Sequence, residues 1–456
     1  MSTELTLLML AFEFPPQSQV GMQRSLKFVK YLPQYGVKPI VVTTDNLSAV
    51  AWDRPLSEES IEEIPKEAIV CRVPCPRRPR RIRNLWVRRL RRFFSMSEEN
   101  IGKHWEPYVI TQADRFIKKT KPDALYVSLP PFSMGLLAVK VALLSRLPLI
   151  VDFRDGWSQW YRSPYMTRFH YQLILRQERR CLKYASIVIG TTDQIVLDLQ
   201  SVHPNIPKAK FYVIPNGYDR ALPGFLRPQF KASKCRPFVI GYVGSFYYSP
   251  QMRSSVMEPW WRLPIRHWMQ YSPRKEDWLY RSPFFFFRAL KKLFENHPPL
   301  RDCVRVKFVG DTPDWLVEQI KHFSLQGAVE HLGQLPHRAS LEFQAGCDAL
   351  LATSAKIVGG RDYSVAGKTF EYVTSGCPVI AFVTEGEMRN FYQESGIALI
   401  CNPDDTESSA NALEHIVTGK FCPVPNLDFL HRFHRRETSG QLARLFKEQI
   451  KDMAPD

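Results

Sequence analysis

The segment from Arg361 to Phe382 holds the residues whose types and spacing best suit chemistry. A flexible loop leads into a short predicted helix at about Ala366, whose N-terminus offers free N–H groups and the positive end of the helix dipole. Lys368 adds a mobile cation there. Glu371 falls on the same face one turn deeper, where its carboxylate can accept hydrogen bonds from two ribose hydroxyls. This spacing predicts a site for a nucleoside diphosphate, although a Lys–Glu pair on an exposed helix has the same spacing.

A second phosphate contact is predicted at Gly244 and Ser245. These residues close a strand that begins at Phe238, and the glycine leaves the backbone open to a close approach by phosphate. The turn at Gly244 and Ser245 is therefore a second candidate for phosphate binding.

The first half of the chain offers a different set of candidates. Gly21 opens the helix after the first strand, where a glycine lets the backbone approach a cleft, and Arg24 lies one turn into that helix. Arg154 and Asp155 follow a buried strand and so lie at its carboxyl end, where open α/β sheets bind ligands. The carboxylate of Asp155 is predicted to accept a proton from a substrate hydroxyl, to orient Arg154 and Trp157, or only to fix its loop.

Strand-like apolar runs alternate with amphipathic helical runs through both halves of the chain. The first half starts with predicted strands at 5–11 and 38–43 around a helical run at 22–35. A polar and basic stretch at 219–236 interrupts this pattern, which then resumes with the strand that ends at Gly244. Such alternation is typical of parallel sheets made of βαβ units.

We therefore expect an α/β protein with two doubly wound domains. The first is predicted to span 1–222 and the second 236–426, with an aromatic insertion at 246–281. The last segment, 427–456, has helical spacing and is expected to pack back across the two domains.

The size and composition agree with this organisation. The chain has 456 residues, which is enough for two cores. A hydrophobic fraction of 45% and a charged fraction of 23% exclude a disordered or fibrous class. No uninterrupted apolar run reaches the roughly 20 residues of a membrane-spanning helix, and the N-terminus lacks the basic leader of a signal peptide.

The nine cysteines are odd in number and scattered, which is typical of reduced thiols in the cytoplasm. They form no recognisable zinc ligand set. Since no Asp-x-Asp motif stands in a suitable loop, we expect a reaction without a metal or other cofactor.

The net charge of +17 is concentrated in the segment Arg77–Phe94, which has nine arginines and no acid between Arg77 and Arg92. Its interleaved apolar residues are consistent with an interfacial helix on an anionic membrane surface. A solvated basic loop has the same composition. Nucleic acid is not an expected partner, because no nucleic-acid-binding module surrounds the segment.

The motif Gly367-Lys-x-x-Glu-Tyr-x-x-Ser-Gly-x-Pro-Val resembles the donor motif of retaining GT-B glycosyltransferases that use nucleotide sugars, the family 4-like and group 1 glycosyltransferases. Further pieces of the chain match that family in the same order: 15–21, 128–131, 152–155, 214–219, 241–245 and 308–310. The resemblance implies GT-B architecture, in which two Rossmann-like domains face each other across a cleft.

The resemblance also assigns roles. It implies that Lys368 and Glu371 bind the diphosphate and ribose of the donor, that Arg253 adds a cation to the diphosphate, and that Asp155 faces the reacting sugar or acceptor. Relatives often carry a glutamate eight positions before the ribose-binding one, where this chain has Tyr363. Many relatives with the Gly-Lys-x-x-Glu-Tyr form similarly lack that acid, so we interpret the change as a subfamily trait.

The expected function is transfer of a sugar from a nucleotide sugar to a glycan or lipid-linked acceptor in surface polysaccharide biosynthesis. The expected location is cytoplasmic or peripheral on the inner face of the membrane. Two alternatives share the fold: a non-hydrolysing nucleotide-sugar epimerase, which needs no acceptor, and a non-catalytic membrane-associated scaffold subunit. The presence of both Lys368 and Glu371 argues against the scaffold.

Overall fold

The computed structural model describes residues 5–18, 20–53, 56, 58–76, 101–159, 164–223, 232–233 and 235–451. The basic segment Arg77–Phe94 lies outside these residues. Within the described ranges, none of the helices combines the length and apolar character needed to cross a bilayer. All nine cysteines are described, and none of them forms a disulfide.

The first half of the chain forms a seven-stranded sheet in the order β3-β2-β1-β4-β5-β6-β7, and every neighbouring pair is parallel. The strands are β1 Leu5–Leu10, β2 Val37–Thr44, β3 Ile69–Val73, β4 Ala124–Leu129, β5 Leu149–Phe153, β6 Ile187–Gly190 and β7 Phe211–Val213. The helices are α1 Val20–Tyr31, α2 Asn46–Ala51, α3 Ile101–Thr120, α4 Ser133–Ser145, α5 Arg168–Tyr184 and α6 Asp193–Val202. This strand order is that of a doubly wound sheet, as the sequence predicts.

The second half forms a parallel sheet of six strands in the order β11-β10-β8-β12-β14-β15, with the short antiparallel pair β13-β9 beside it. The strands are β8 Phe238–Val243, β9 Glu276–Asp277, β10 Val304–Val309, β11 Val329–His331, β12 Ala349–Thr353, β13 Lys356–Ile357, β14 Val379–Phe382 and β15 Ala398–Cys401. The helices are α7 Pro250–Met257, α8 Phe284–Asn296, α9 Asp314–His322, α10 His337–Gly346, α11 Gly367–Ser375, α12 Glu387–Ser395, α13 Thr406–Val417, α14 Leu427–His431 and α15 Arg435–Lys451.

Both sheets are covered by helices on both faces, which is why their central strands are apolar throughout. All six residues of β4 are buried, for example. In β1, Leu8 and Leu10 pack on one face while Leu7 and Met9 pack on the other. A parallel strand that is buried on both faces has no polar side to show, so its sequence does not alternate.

Two predicted helical runs are divided in the structure. The run at 22–35 ends as an α-helix at Tyr31 and continues as a 3₁₀ turn, Leu32–Tyr35, because Pro33 has no N–H to donate. The C-terminal run is broken between α14 and α15, where the carbonyl of Phe433 accepts a hydrogen bond from the N–H of Tyr218. The backbone there pairs with the end of the first domain instead of continuing the helix.

The aromatic insertion at 246–281 contains α7, β9 and three 3₁₀ turns, Trp260–Arg262, Ile265–His267 and Trp278–Arg281. It contacts both halves of the chain. Tyr271 forms an antiparallel bridge with Tyr165 of the first half, and Arg274 forms an ion pair with Asp198.

Candidate functional site

The N-terminus of α11 lies in the predicted place. The helix begins at Gly367, directly after Ala366, which is extended. Among the described residues, no side chain caps this end of the helix. The N–H of Thr369 donates to the carbonyl of Ala366 at 2.9 Å, which leaves the N–H groups of Gly367 and Lys368 for a ligand. Gly376 ends the helix in a left-handed conformation, φ 73°, before the buried strand β14.

Lys368 extends from this helix to the carboxyl end of β8. Its Nζ lies 4.0 Å from the position that a Cβ on Gly244 would occupy. The ammonium donates a hydrogen bond to the hydroxyl of Tyr242 and lies 3.8 Å from the centre of that ring. Tyr242 in turn stacks on Phe246 with 3.8 Å between ring centres. The structure therefore brings Lys368 and Gly244 together.

The environment of Lys368 disfavours its charge. Burial and the nearby guanidinium of Arg281 lower the pKa of Lys368 to about 7, against a smaller opposing effect of Glu371. The side chain keeps partial contact with solvent, and hydration offsets some of this depression. A bound anion would reverse the shift, because it would stabilise the charged form of the lysine.

The turns that follow β8 and β10 each contain a glycine. Gly244 has φ 102° and Gly310 has φ 145°, both in the region that favours glycine. A Cβ on Gly310 would lie 2.7 Å from the carbonyl oxygen of Gly244, so the two turns pack directly on each other. The hydroxyl of Ser245 donates to Oδ2 of Asp311 at 2.6 Å. This bond directs the Ser245 side chain toward Asp311.

Glu371 lies one turn into α11, half-buried, and its Oε2 accepts a hydrogen bond of 3.3 Å from Nε2 of Gln344. It is also close enough to Lys368 to act on that lysine's charge. Helix α11 therefore presents a cation and a carboxylate on one face, with α10 beside the carboxylate. This arrangement fits a diphosphate at the helix end and a polyhydroxylated group one turn deeper.

Arg253 is directed elsewhere. Its Nε and Nη2 donate to the two carboxylate oxygens of Asp277 at 2.6 and 3.0 Å. The bidentate pair ties α7 to β9 and occupies one edge of the guanidinium. The structure does not show Arg253 acting on the charge of Lys368.

Arg281 is the cation that the sequence interpretation missed. It acts electrostatically on both Lys368 and Asp362, and it forms an ion pair with the fully buried Glu276. Arg281 ends the aromatic insertion, far along the chain from Gly244, so no motif spacing indicates its position. The sequence does place Arg281 directly before the Ser-Pro pair that precedes helix α8, and this position could have marked it as a candidate.

Asp362 is buried beside Arg281, and its Oδ2 has no hydrogen-bond partner among the described residues. Burial raises the pKa of Asp362 to about 7, although Arg281 opposes this shift. Asp362 directly precedes Tyr363 in the loop that leads into α11.

In the first domain, Arg24 lies inside a buried network. Its guanidinium donates to both carboxylate oxygens of Asp152 at 2.6 and 3.0 Å, to the carbonyls of Ile214 and Pro215, and to Oδ1 of Asn216. All five of its N–H groups are used. Arg24 therefore fixes the loop after β7 to the core of the sheet and has no N–H directed at a ligand.

Arg154 passes directly over Gly21. A Cβ on Gly21 would lie 1.6 Å from Nη1 of Arg154 and 2.0 Å from Oε2 of Glu13, so a larger residue there would displace this ion pair. Arg154 pairs with Glu13 at 2.9 Å and donates to the carbonyls of Leu129 and Pro130. These bonds hold together the loops that follow β1, β4 and β5.

Asp155 and Tyr363 meet between the two sheets. Burial raises the pKa of Tyr363, and the carboxylate of Asp155 adds to this shift because it lies within electrostatic range of the phenol. The hydroxyl of Thr192, which follows β6, donates to the carbonyl of Tyr363 at 2.5 Å. The carboxyl edge of the first sheet therefore faces the loop that carries the predicted donor motif.

No group of three His, Cys, Asp or Glu side chains converges as a metal site would require, within the part of the chain that the structure describes.

Comparison with known proteins agrees with this architecture. The model of the glycosyl transferase 4-like domain matches residues 23–217, and that of the glycosyl transferases group 1 matches residues 282–418. The two matches together span both domains. No curated protein matches the chain in sequence.

Three solved structures are similar over nearly the whole chain. HepE from Anabaena in complex with UDP and glucose is 15% identical, with a TM-score of 0.54. The similarity covers 97% of this chain and 100% of that chain. Sucrose-phosphate synthase from Thermosynechococcus elongatus is 13% identical, with a TM-score of 0.57 and coverage of 98% and 100%. The lipopolysaccharide outer core galactosyltransferase WaaB is 12% identical, with a TM-score of 0.56 and coverage of 99% and 100%.

At these sequence identities the solved structures show only that the fold is shared. The two family matches show to which family the chain belongs. The chain belongs to the group 1 glycosyltransferases with a glycosyl transferase 4-like N-terminal domain, and it is a glycosyltransferase of GT-B architecture.

Proposed function

We propose that this glycosyltransferase moves a sugar from a nucleoside diphosphate sugar to a glycan or lipid-linked acceptor, with retention of anomeric configuration, in surface polysaccharide biosynthesis. The observation that carries the proposal is the position of Lys368. Its ammonium lies at the uncapped start of α11 and beside Gly244, where a diphosphate would receive both the lysine charge and the backbone N–H groups.

The donor is held by groups from two loops. In our proposal Lys368 and the first turn of α11 bind the diphosphate, and the glycine turn of Gly244 and Ser245 lets it approach the backbone. Arg281 adds positive potential near Lys368, and Glu371 accepts hydrogen bonds from the ribose hydroxyls. Arg253 is a weaker candidate for the diphosphate, because its guanidinium is engaged by Asp277.

The reaction exchanges one bond at the anomeric carbon of the donor sugar. The bond from that carbon to the diphosphate oxygen breaks, the acceptor oxygen bonds to the same face, and the acceptor proton passes to the departing diphosphate. Negative charge develops on the diphosphate as it leaves. Lys368 and the N–H groups of α11 stabilise that charge and so lower the barrier without an enzyme nucleophile.

The acceptor side is assigned to Asp155, which lies opposite the donor loop and next to Tyr363. Its carboxylate accepts a hydrogen bond from the acceptor hydroxyl and orients it toward the anomeric carbon. Arg154, Gly21 and Arg24 are positioning residues in this proposal, since their contacts fix the loops around Asp155.

UDP is the first nucleotide to test. HepE, which is similar in fold, has been solved with UDP and with UDP-glucose. We place the reaction on the cytoplasmic face of the membrane, with the segment Arg77–Phe94 against anionic lipid.

A thermal-shift series with UDP, GDP and ADP and their sugars tests the donor site. We expect one nucleotide to stabilise the protein, and both Lys368→Met and Glu371→Gln to reduce that shift. Lys420→Met and Glu330→Gln serve as matched controls, because these exposed side chains lie in surface ion pairs. Stabilisation that is unchanged in Lys368→Met and Glu371→Gln would show that the donor binds elsewhere.

Product analysis tests the reaction itself. Incubation of the stabilising sugar nucleotide with candidate acceptors is expected to give nucleoside diphosphate and an elongated acceptor whose new linkage keeps the anomeric configuration in NMR. Conversion of the donor sugar to its epimer without acceptor would replace this proposal with the epimerase. An inverted linkage would overturn only the retention.

A further inference from the structure

The aromatic insertion exposes an apolar patch that the donor site does not use. Within ten residues, the side chains of Trp260, Trp261, Ile265, Trp268 and Met269 are 58%, 64%, 78%, 48% and 66% exposed. Monomeric proteins seldom leave several large apolar side chains exposed side by side without a use for them. These five residues are called the tryptophan patch below.

The rings of the patch do not form a flat platform. Trp260 is perpendicular to Trp261, at 86°, and to Trp268, at 85°, with ring centres 6.1 and 5.2 Å apart. A sugar ring stacks on a flat aromatic face, whereas these edges point in different directions. Ile265 and Met269 between them add aliphatic surface with no hydrogen-bonding group. The patch therefore suits contact with the apolar part of a lipid bilayer better than contact with a glycan.

The patch is held firmly against the protein. At its C-terminal end Tyr271 exchanges two backbone hydrogen bonds with Tyr165, of 2.8 and 2.9 Å. The indole N–H of Trp268 donates to the carbonyl of Leu263 at 3.0 Å. Because its backbone is already ordered, the patch can bury its side chains without the entropic cost of folding a loop.

The charge around the patch selects an anionic partner. From residue 259 to residue 275 the chain has four basic residues and no acid: Arg262, Arg266, Arg274 and Lys275. Arg274 is paired with Asp198, whereas Arg262, which is exposed, directly follows Trp261 in the chain. Two further exposed apolar side chains, Met166 and Phe169, follow the bridge residue Tyr165 in the first domain.

We propose that the tryptophan patch is a membrane-interface anchor that inserts into the headgroup region of an anionic bilayer. Tryptophan is enriched at that depth, since its ring is apolar and its N–H is polar. Adjacent basic residues attract anionic headgroups and add to the apolar burial. The tryptophan patch lies in the insertion of the second half, which also bridges to Tyr165 of the first half, and none of its five residues belongs to the proposed donor site.

Sedimentation with vesicles tests the anchor. The full-length protein is incubated with two kinds of vesicle. One is phosphatidylcholine alone, and the other also contains about 30% phosphatidylglycerol, which makes its surface strongly anionic. We expect binding to the anionic vesicles and a blue shift of tryptophan fluorescence. Trp261→Ser, Ile265→Ser and Met269→Ser combined should weaken the binding at least about tenfold.

A triple variant at exposed apolar residues elsewhere, Leu47→Ser with Leu144→Ser and Val424→Ser, is the matched control and should bind as the unaltered protein does. Thermal stabilisation by the donor nucleotide should be the same in both triple variants, which separates failure of the anchor from failure of the donor site.

Equal vesicle binding by the patch variant and the control would overturn the anchor. Loss of binding only when the arginines of Arg77–Phe94 are replaced would also overturn it. A third contrary result is a patch variant that binds vesicles normally but loses self-association in the ultracentrifuge. The last would assign the patch to a second copy of the chain.

Discussion

At the scale of single residues, Lys368 is a cation whose charge depends on what it binds. Its pKa of about 7 in the free protein follows from burial and from Arg281. A diphosphate at the start of α11 would raise that pKa toward its ordinary value. Binding at alkaline pH must therefore take up a proton.

The first prediction concerns this proton. Below pH 7 Lys368 is protonated with and without ligand, so it adds no pH dependence to the affinity. Above about pH 7 the free lysine loses its proton, and the affinity for the nucleoside diphosphate falls by up to about tenfold per pH unit until the pKa of the complex is reached. Calorimetry at pH 8.5 in two buffers of different ionisation enthalpy should show close to one proton taken up.

The control for proton uptake is Lys368→Met, which should bind more weakly and take up no proton through this group. Affinity that stays constant from pH 7 to pH 9 would contradict the prediction.

Asp155 gives the second prediction. Asp155→Asn removes the charge that orients the acceptor hydroxyl, so the turnover rate should fall by about two to three orders of magnitude. The affinity for the nucleotide should change less than about twofold, because the donor-binding groups lie on the other domain. Initial rates at saturating donor, together with calorimetry, measure the two quantities separately. If the Asp155→Asn enzyme keeps full turnover, Asp155 does not act on the acceptor and only fixes the conformation of its loop.

At the scale of elements, the site depends on turns that follow parallel strands. The turn after β8 holds Gly244 and the turn after β10 holds Gly310, and the second turn fits against the first only because Gly310 has no side chain. Helix α11 then brings Lys368 to this double turn. A side chain at Gly310 would therefore press on the turn that lies beside Lys368.

Gly310→Ala is the third prediction. The new Cβ would meet the carbonyl of Gly244 at 2.7 Å, and alanine would have to adopt φ 145°. We expect a loss of about 1–3 kcal/mol in the free energy of unfolding, together with weaker nucleotide binding. Urea denaturation and calorimetry report these changes. Gly346→Ala is the control, because a Cβ there meets nothing within 4 Å, and a similar loss in both variants would contradict the expectation.

At the scale of the whole molecule, the C-terminal segment connects the two domains. Leu430 of α14 packs in the core of the second domain, whereas Leu442 and Phe446 of α15 pack against the first. Between them Arg435 donates to the carbonyl of Gly217 at 2.8 Å. On this basis we propose domain limits of 1–222 and 236–426, with 427–456 crossing back.

The fourth prediction tests the contribution of α15 to the first domain. Leu442 is fully buried, so Leu442→Ala should cost about 2–5 kcal/mol of stability through lost burial and the remaining cavity. Arg444→Ala, an exposed change on the same helix, should cost less than about 0.5 kcal/mol. Denaturation followed by circular dichroism gives both values. Equal midpoints for the two variants would show that α15 adds little to the first domain.

The sequence by itself determined the fold class, the family and the start of helix α11. Apolar strands that alternate with amphipathic helices can form only a few architectures, and parallel doubly wound sheets are the one that this order favours. The start of α11 could also be predicted from nearby residues alone. The loop of small residues before Lys368 indicates where the helix begins, and the glycine at its other end indicates where it stops. The family matches confirm the predicted resemblance to the 4-like and group 1 glycosyltransferases.

Only the tertiary structure decided which charged side chains meet. Arg24 and Arg253 were plausible ligand contacts from their places in the chain, yet Asp152 and Asp277 engage them in the fold. Arg281 became a neighbour of Lys368 because the insertion folds back to the second sheet, a contact between residues far apart in sequence. Local spacing fixes what a helix presents, whereas ion pairs across loops depend on distances that exist only after the chain has folded.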